Sequence, residues 1–138
     1  MNKSTKRLLL TLGVLQAFIA LGALPAGYSM ITFPDGSGLG MTLAVLENSP
    51  FKSYLVPGLF LFIINGLFNI LASIFSFIKH PFSGFIGLTL GIFLTLWICI
   101  QVYFIGLISF LQPLMFVIGL IEIMISYLIF KHLSLKSN

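Results

Sequence analysis

The stretch P-L-M-F-V-I-G-L-I-E-I-M-I-S-Y-L-I-F, residues 113–130, decides the fold class. Its length approaches the roughly 20 residues that cross a bilayer, and its one acidic side chain, Glu122, lies near its middle. An ionisable group within an apolar span is costly, so by default it marks a functional-site hypothesis. Three further apolar segments of similar length precede this one, at approximately 8–28, 54–78 and 82–106. The chain therefore reads as an all-α membrane protein, a four-transmembrane-helix bundle forming a single domain over residues 1–138.

Composition agrees. A chain of 138 residues that is 59% hydrophobic and 7% charged, with a mean hydropathy of +1.15, has too few polar groups to wet the surface of a small soluble domain. The net charge of +4 comes from cations at the ends of apolar runs, where they serve as membrane anchors. They form no basic stripe of the kind nucleic-acid binding needs. Cys99 is the single cysteine, which excludes an intrachain disulfide and a thiolate zinc site; within an apolar run it reads as an inert packing residue.

The first segment has the look of a signal peptide, with Lys3, Lys6 and Arg7 before the apolar run. That run is longer than a usual signal core and no small-x-small pair sits cleanly at its end, so it reads as an uncleaved span. With four spans, Lys3, Lys6, Arg7, Lys79, Lys131 and Lys136 share one side and Lys52 alone holds the other. The positive-inside rule then predicts cytoplasmic termini, and an exported connection over about 29–53, in a multi-pass protein of the bacterial inner membrane. Within that connection F-P-D-G-S-G, 33–38, is dense in turn formers. A short interfacial helix is expected over 41–47, ended by Ser49-Pro50-Phe51.

The loop string P-D-G-S-G-L-G-M at 34–41, with S-P-F at 49–51 and Y-L-V-P-G at 54–58, resembles a group of uncharacterised small four-span bacterial membrane proteins. That resemblance covers most of the chain and implies no activity. Small multidrug-resistance transporters are similar in span number, but their key Glu lies in the first span, where this chain offers Gln16. Vitamin K epoxide reductase-like proteins need paired cysteines, absent here.

A short internal repeat recurs in the same order in both halves. L-T-L-G occurs at 10–13 and 88–91, and G-L-F-N-I-L at 66–71 matches G-L-I-E-I-M at 119–124. Repeats often locate binding sites in transporters, and this one suggests two parallel helix pairs with Asn69 matched to Glu122. Depth counting points the same way. Gln16, Asn69 and Glu122 each lie nine or ten residues from a cytoplasmic cation, about 14 Å into a hydrocarbon core about 30 Å thick. Each also belongs to a helical stripe of small or polar residues: Gly13, Gln16, Ala20; Asn65, Asn69, Ala72, Ser76; and Gly119, Glu122, Ser126. The third segment contributes Gly87, Gly91 and Thr95. Such faces pack on one another while Phe, Leu and Ile meet lipid.

The candidate site is therefore Glu122 with Asn69, Asn65 and Gln16 around it, as a ligand or proton site. No Lys or Arg shares its depth, so Glu122 is expected either to be held as the neutral acid or to face a water-filled cavity. The bland alternative is interhelical hydrogen bonding, each contact worth about 0.6–2 kcal/mol. His80 and His132 each follow a Lys at a helix end and read as interfacial residues. Gln101 and Gln112 are placed to close the exported end, and Trp97 to pack or line a pocket. No nucleophile with a base, phosphate loop, metal-ligand set or cofactor motif is legible, so no catalytic residue, metal or cofactor is assigned and the chain is not read as an enzyme. Two readings follow: an accessory or subunit-type protein whose partners are the bilayer and a further membrane protein or second copy, or a proton-coupled small-solute transporter using Glu122. A cavity reaching Glu122 discriminates between them.

Overall fold

The computed structural model describes residues 2–107 and 109–137, and among these the regular structure is entirely helical. Helix α1 is Lys3–Thr32, α2 is Leu55–Phe77 and α3 is Ser83–Ile105, and α4 is Leu111–Ser137. All four are long and apolar enough to cross a membrane, and the chain is a small multi-pass membrane protein. Each has many large apolar side chains facing outward, such as Phe18 and Leu21 on α1 and Met124 and Tyr127 on α4. A bilayer, which is as apolar as those side chains, covers them without penalty.

Local chemistry sets the helix ends. The side chain of Asn2 accepts a hydrogen bond from the Thr5 backbone N–H at 2.8 Å and caps α1. That helix persists to Thr32, because Phe33 stands before Pro34 and is disfavoured in helical geometry. Between α2 and α3, Lys79 takes the left-handed conformation at φ 59°. The backbone N–H of Lys79 reaches Ser76 O at 3.1 Å and that of His80 reaches Phe75 O at 2.9 Å, the paired bonds of a Schellman cap. Pro113 lies in the first turn of α4, where its missing N–H costs nothing.

Tyr54 fastens the connection between α1 and α2. It is 3% exposed, its hydroxyl donates to Thr42 O at 2.8 Å, and its N–H donates to Pro34 O at 2.8 Å. Gly36, at φ 86°, lies so close that a Cβ there would come within 2.7 Å of the Tyr54 ring. Asp35 accepts the Ser37 backbone N–H at 2.9 Å, and that bond holds its carboxyl below the usual carboxylate range. The helix expected over 41–47 is instead a single 3-10 turn, Leu43–Leu46. Left-handed Gly40 and Pro50 leave too few residues between them to repay nucleation of an α-helix.

Packing is most extensive within α1–α2 and within α3–α4; the two pairs meet more lightly, through α1 with α4 and, to a similar degree, through α2 with α3. These are the two helix pairs suggested by the repeat, but their registers differ. In the first pair Gly66 lies against Leu24, and in the second its counterpart Gly119 lies against Thr95. The string alignment would put Val102 there, about two turns away. The matched strings thus reflect similar small-residue faces rather than one superimposable hairpin.

The core has two apolar parts. Ile19, Leu94, Trp97, Ile98 and Ile118 cluster toward the α1–α2 loop. Leu9, Leu12, Ile125 and Ile129 cluster at the other end. Along α1 and α4, Gln16 and Glu122 fall between them.

Candidate functional site

Buried polar side chains form a layer between these clusters. Gln16, Asn65, Asn69, Glu122 and Ser126 all have 0% exposure. Three helices meet at Gln16: its Nε2 donates to Glu122 Oε2 at 3.3 Å, and its Oε1 accepts the Ser76 hydroxyl at 2.9 Å. The donor and acceptor ends of one amide thus join α1 to α4 and α1 to α2. Beside it Ser73 donates to Gly13 O at 2.7 Å, a second link between α1 and α2. Gly87 makes room on α3, since a Cβ there would collide with Ser126 Oγ and come within 3.2 Å of Gln16 Nε2.

The asparagines behave differently. Asn69 Nδ2 donates to Asn65 O at 3.0 Å, a bond within its own helix rather than to Glu122. The Leu24–Gly66 contact and the Ser73–Gly13 bond bracket Asn69, about one helical turn from the level of Gln16. Asn65 lies in a π-helical stretch, Leu61–Leu67. The extra residue carried by that wider turn accounts for the spacing of buried positions, Pro57 and Gly58 followed by Asn65 and Gly66. Regular α-helical spacing then continues through Asn69, Ala72, Ser73 and Ser76.

Several buried polar atoms in this layer have no protein partner: both side-chain polar atoms of Asn65, Asn69 Oδ1, Glu122 Oε1 and Ser126 Oγ. Among the described residues no group of three His, Cys, Asp or Glu side chains is placed to hold a metal. Two cavities lie elsewhere. One of about 80 Å³ sits beneath the loop, bordered by Tyr54, Trp97 and Gln101; the other, about 480 Å³, is a groove on the outer face of α3 and α4 around Cys99, Tyr103 and Phe116. Neither is lined by Gln16, Asn65, Asn69 or Glu122.

Other side chains fall where their chemistry takes them. Gln112 Nε2 donates to Gln101 Oε1 at 3.3 Å between α3 and α4. Trp97 stacks on Phe60 at 4.6 Å between ring centroids. His132 Nδ1 lies 3.3 Å from Thr5 Oγ1, joining α1 to α4, while His80 stacks on Phe75. Cys99, expected to pack inside, is exposed; its stretch of α3 turns Leu94, Trp97 and Ile98 inward and leaves Cys99 facing out. Ser73 was absent from the stripe read in the sequence, although it follows Asn69 at helical spacing; a serine among apolar residues gives no sign of which neighbour it will bond.

No family model, curated protein or solved structure matches this chain, so the resemblance to small four-span bacterial proteins goes no further than four long apolar helices in one bundle.

Proposed function

We infer that this protein acts by association, as a small subunit or accessory protein of a larger membrane assembly, with its polar layer holding the bundle together. One observation carries the reading: Gln16 uses both ends of its amide to tie Ser76 and Glu122 to α1, the arrangement expected of interhelical packing. The cavities described lie away from Glu122, which favours packing over transport through that residue. The outer groove on α3 and α4 gives association a place to occur, since Tyr103 on its rim is 82% exposed.

A photo-crosslinking residue at Tyr103, activated in native membranes, tests this. A discrete protein adduct, absent with the same probe at Phe85 on the opposite end of α3, is the expected result. Adducts with lipid alone at both positions would remove the basis for association. The reading includes cytoplasmic termini and an exported loop, which the cation distribution supports. Reporter fusions at the C-terminus and within 36–38 check this, an exported-only reporter remaining silent at the C-terminus.

A second reading, ligand binding or proton-coupled transport at Glu122, draws on the unpartnered Glu122 Oε1. It requires Glu122→Gln to abolish activity in a normally folded protein, because glutamine cannot titrate.

A further inference from the structure

The end of the bundle where α1 begins and α4 ends is strongly basic. Lys3, Lys6, Arg7, Lys79 and Lys131 are all exposed, and two contacts gather the segments that carry them. Thr5 Oγ1 lies 3.3 Å from His132 Nδ1, which sets the first turns of α1 beside Lys131. A Cβ on Gly84 would come within 2.7 Å of the Phe130 backbone nitrogen, which sets the start of α3, and the Lys79 turn just before it, against the same part of α4. The chain has three acidic side chains. Asp35 and Glu47 lie in the loop at the opposite end and Glu122 is buried in the polar layer, so no acidic side chain offsets these cations.

What the cations adjoin separates a lipid headgroup from a free anion. On α1, three-and-four spacing puts Lys3, Lys6 and Arg7 on the face that continues through Leu10, Val14 and Phe18, each 53–59% exposed. On α4, Lys131 heads the row Tyr127, Met124 and Leu120 at the same spacing, and Lys79 follows the outward residues Leu71, Ile74 and Ile78 of α2. Cations on three segments thus stand at the ends of apolar rows that face lipid. A soluble anion would engage the cations alone, whereas a phospholipid engages cation and row together. Net charge then selects among lipids: a zwitterionic headgroup brings its own cation to its phosphate, while an anionic one leaves the phosphate to Arg and Lys.

We propose that this end of the bundle binds anionic phospholipid, the phosphates held by Lys6, Arg7, Lys79 and Lys131 and the acyl chains lying along the apolar rows beneath them. The opposite end, with Lys52 set against Asp35 and Glu47, offers no such selection. This goes beyond the association reading and stands independently of it.

The test is lipid retention by the full chain. Delipidated protein in detergent is mixed with equal amounts of phosphatidylglycerol and phosphatidylcholine of identical acyl chains at low ionic strength, repurified, and its bound lipids are quantified by mass spectrometry. A several-fold excess of phosphatidylglycerol is expected, since each cation near an anionic headgroup contributes about five-fold in affinity. Lys6→Gln, Arg7→Gln and Lys131→Gln combined should cut the excess by at least about half, because each removes one such contribution. Lys131→Gln alone, which leaves the basic end otherwise intact should the combined variant misfold, should cut it by less, and Lys52→Gln should leave it unchanged. Equal retention of the two lipids by the parent would overturn the proposal, as would an excess undiminished in both the combined and the single variant. An excess abolished when sodium phosphate replaces chloride at equal ionic strength would also overturn it, assigning the patch to a free anion.

Discussion

Gln16 and Asn65 are amides buried to the same degree in the same bundle, and they behave in opposite ways. Gln16 has both ends of its side chain engaged, one with α2 and one with α4. Asn65, in the π-helical stretch of α2, has neither. Reach explains part of the contrast, since the longer side chain of Gln16 can cross from one helix to two others. Position adds to it: Gln16 lies where Ser76 of α2 and Glu122 of α4 are both within hydrogen-bonding reach, whereas Asn65 lies beside Gly66, where α2 packs on the apolar Leu24 of α1. Burial of a polar side chain in a membrane bundle therefore does not by itself make it an interhelical link; polar partners on the neighbouring helices must also lie within its reach.

The largest effect expected from this contrast is that of Gln16→Leu. It leaves Ser76 Oγ and Glu122 Oε2 without partners, each costing about 1–3 kcal/mol when buried, so the variant should lose about 2–6 kcal/mol in detergent unfolding. A loss within error of zero would place Gln16 with Asn65 and break the comparison. Next come the two Glu122 variants. Glu122→Leu strands Gln16 Nε2 and should cost about 1–3 kcal/mol, whereas Glu122→Gln keeps shape and acceptor oxygen and should stay within about 1 kcal/mol of the parent. The smallest and opposite effect belongs to Asn65→Leu. Among the described residues no other side chain bonds the Asn65 side chain, and its backbone carbonyl still receives Asn69, so stability should hold or rise by about 1 kcal/mol. A clear loss there would mean that Asn65 has a protein partner in the membrane.

Parts of this layer were legible in the sequence because they depend on one helix at a time. Three-and-four spacing placed Gly13, Gln16 and Ala20, or Asn65, Asn69, Ala72 and Ser76, on single faces, and those faces are buried. The convergence of Gln16 with Glu122 also followed from counting residues inward from the terminal cations. What spacing cannot carry is register between helices. The matched strings suggested that Asn69 is to α2 what Glu122 is to α4, yet contacts such as Gly66–Leu24 and Gly119–Thr95 set the two hairpins about two turns apart. Asn69 accordingly bonds within α2. The π-helical turn at Asn65 was likewise illegible, because an extra residue in one turn is repaid by packing of Gly58 and Gly66 against α1 rather than by any local signal. Cys99 failed for a related reason: in an apolar run every face looks equally buried, and only the neighbouring helix decides which meets lipid.

The claim that Gln16 is a link between helices, not merely a buried amide, is tested most directly by a double-mutant cycle. Unfolding free energies of the parent, Gln16→Leu, Glu122→Leu and the double variant, measured in one detergent, isolate the coupling between the two side chains. A favourable coupling of about 1–2 kcal/mol, in the upper range for interhelical hydrogen bonds in membranes, is the predicted result. Additive losses with no coupling would contradict the account, because the two residues would then share a depth without sharing a bond.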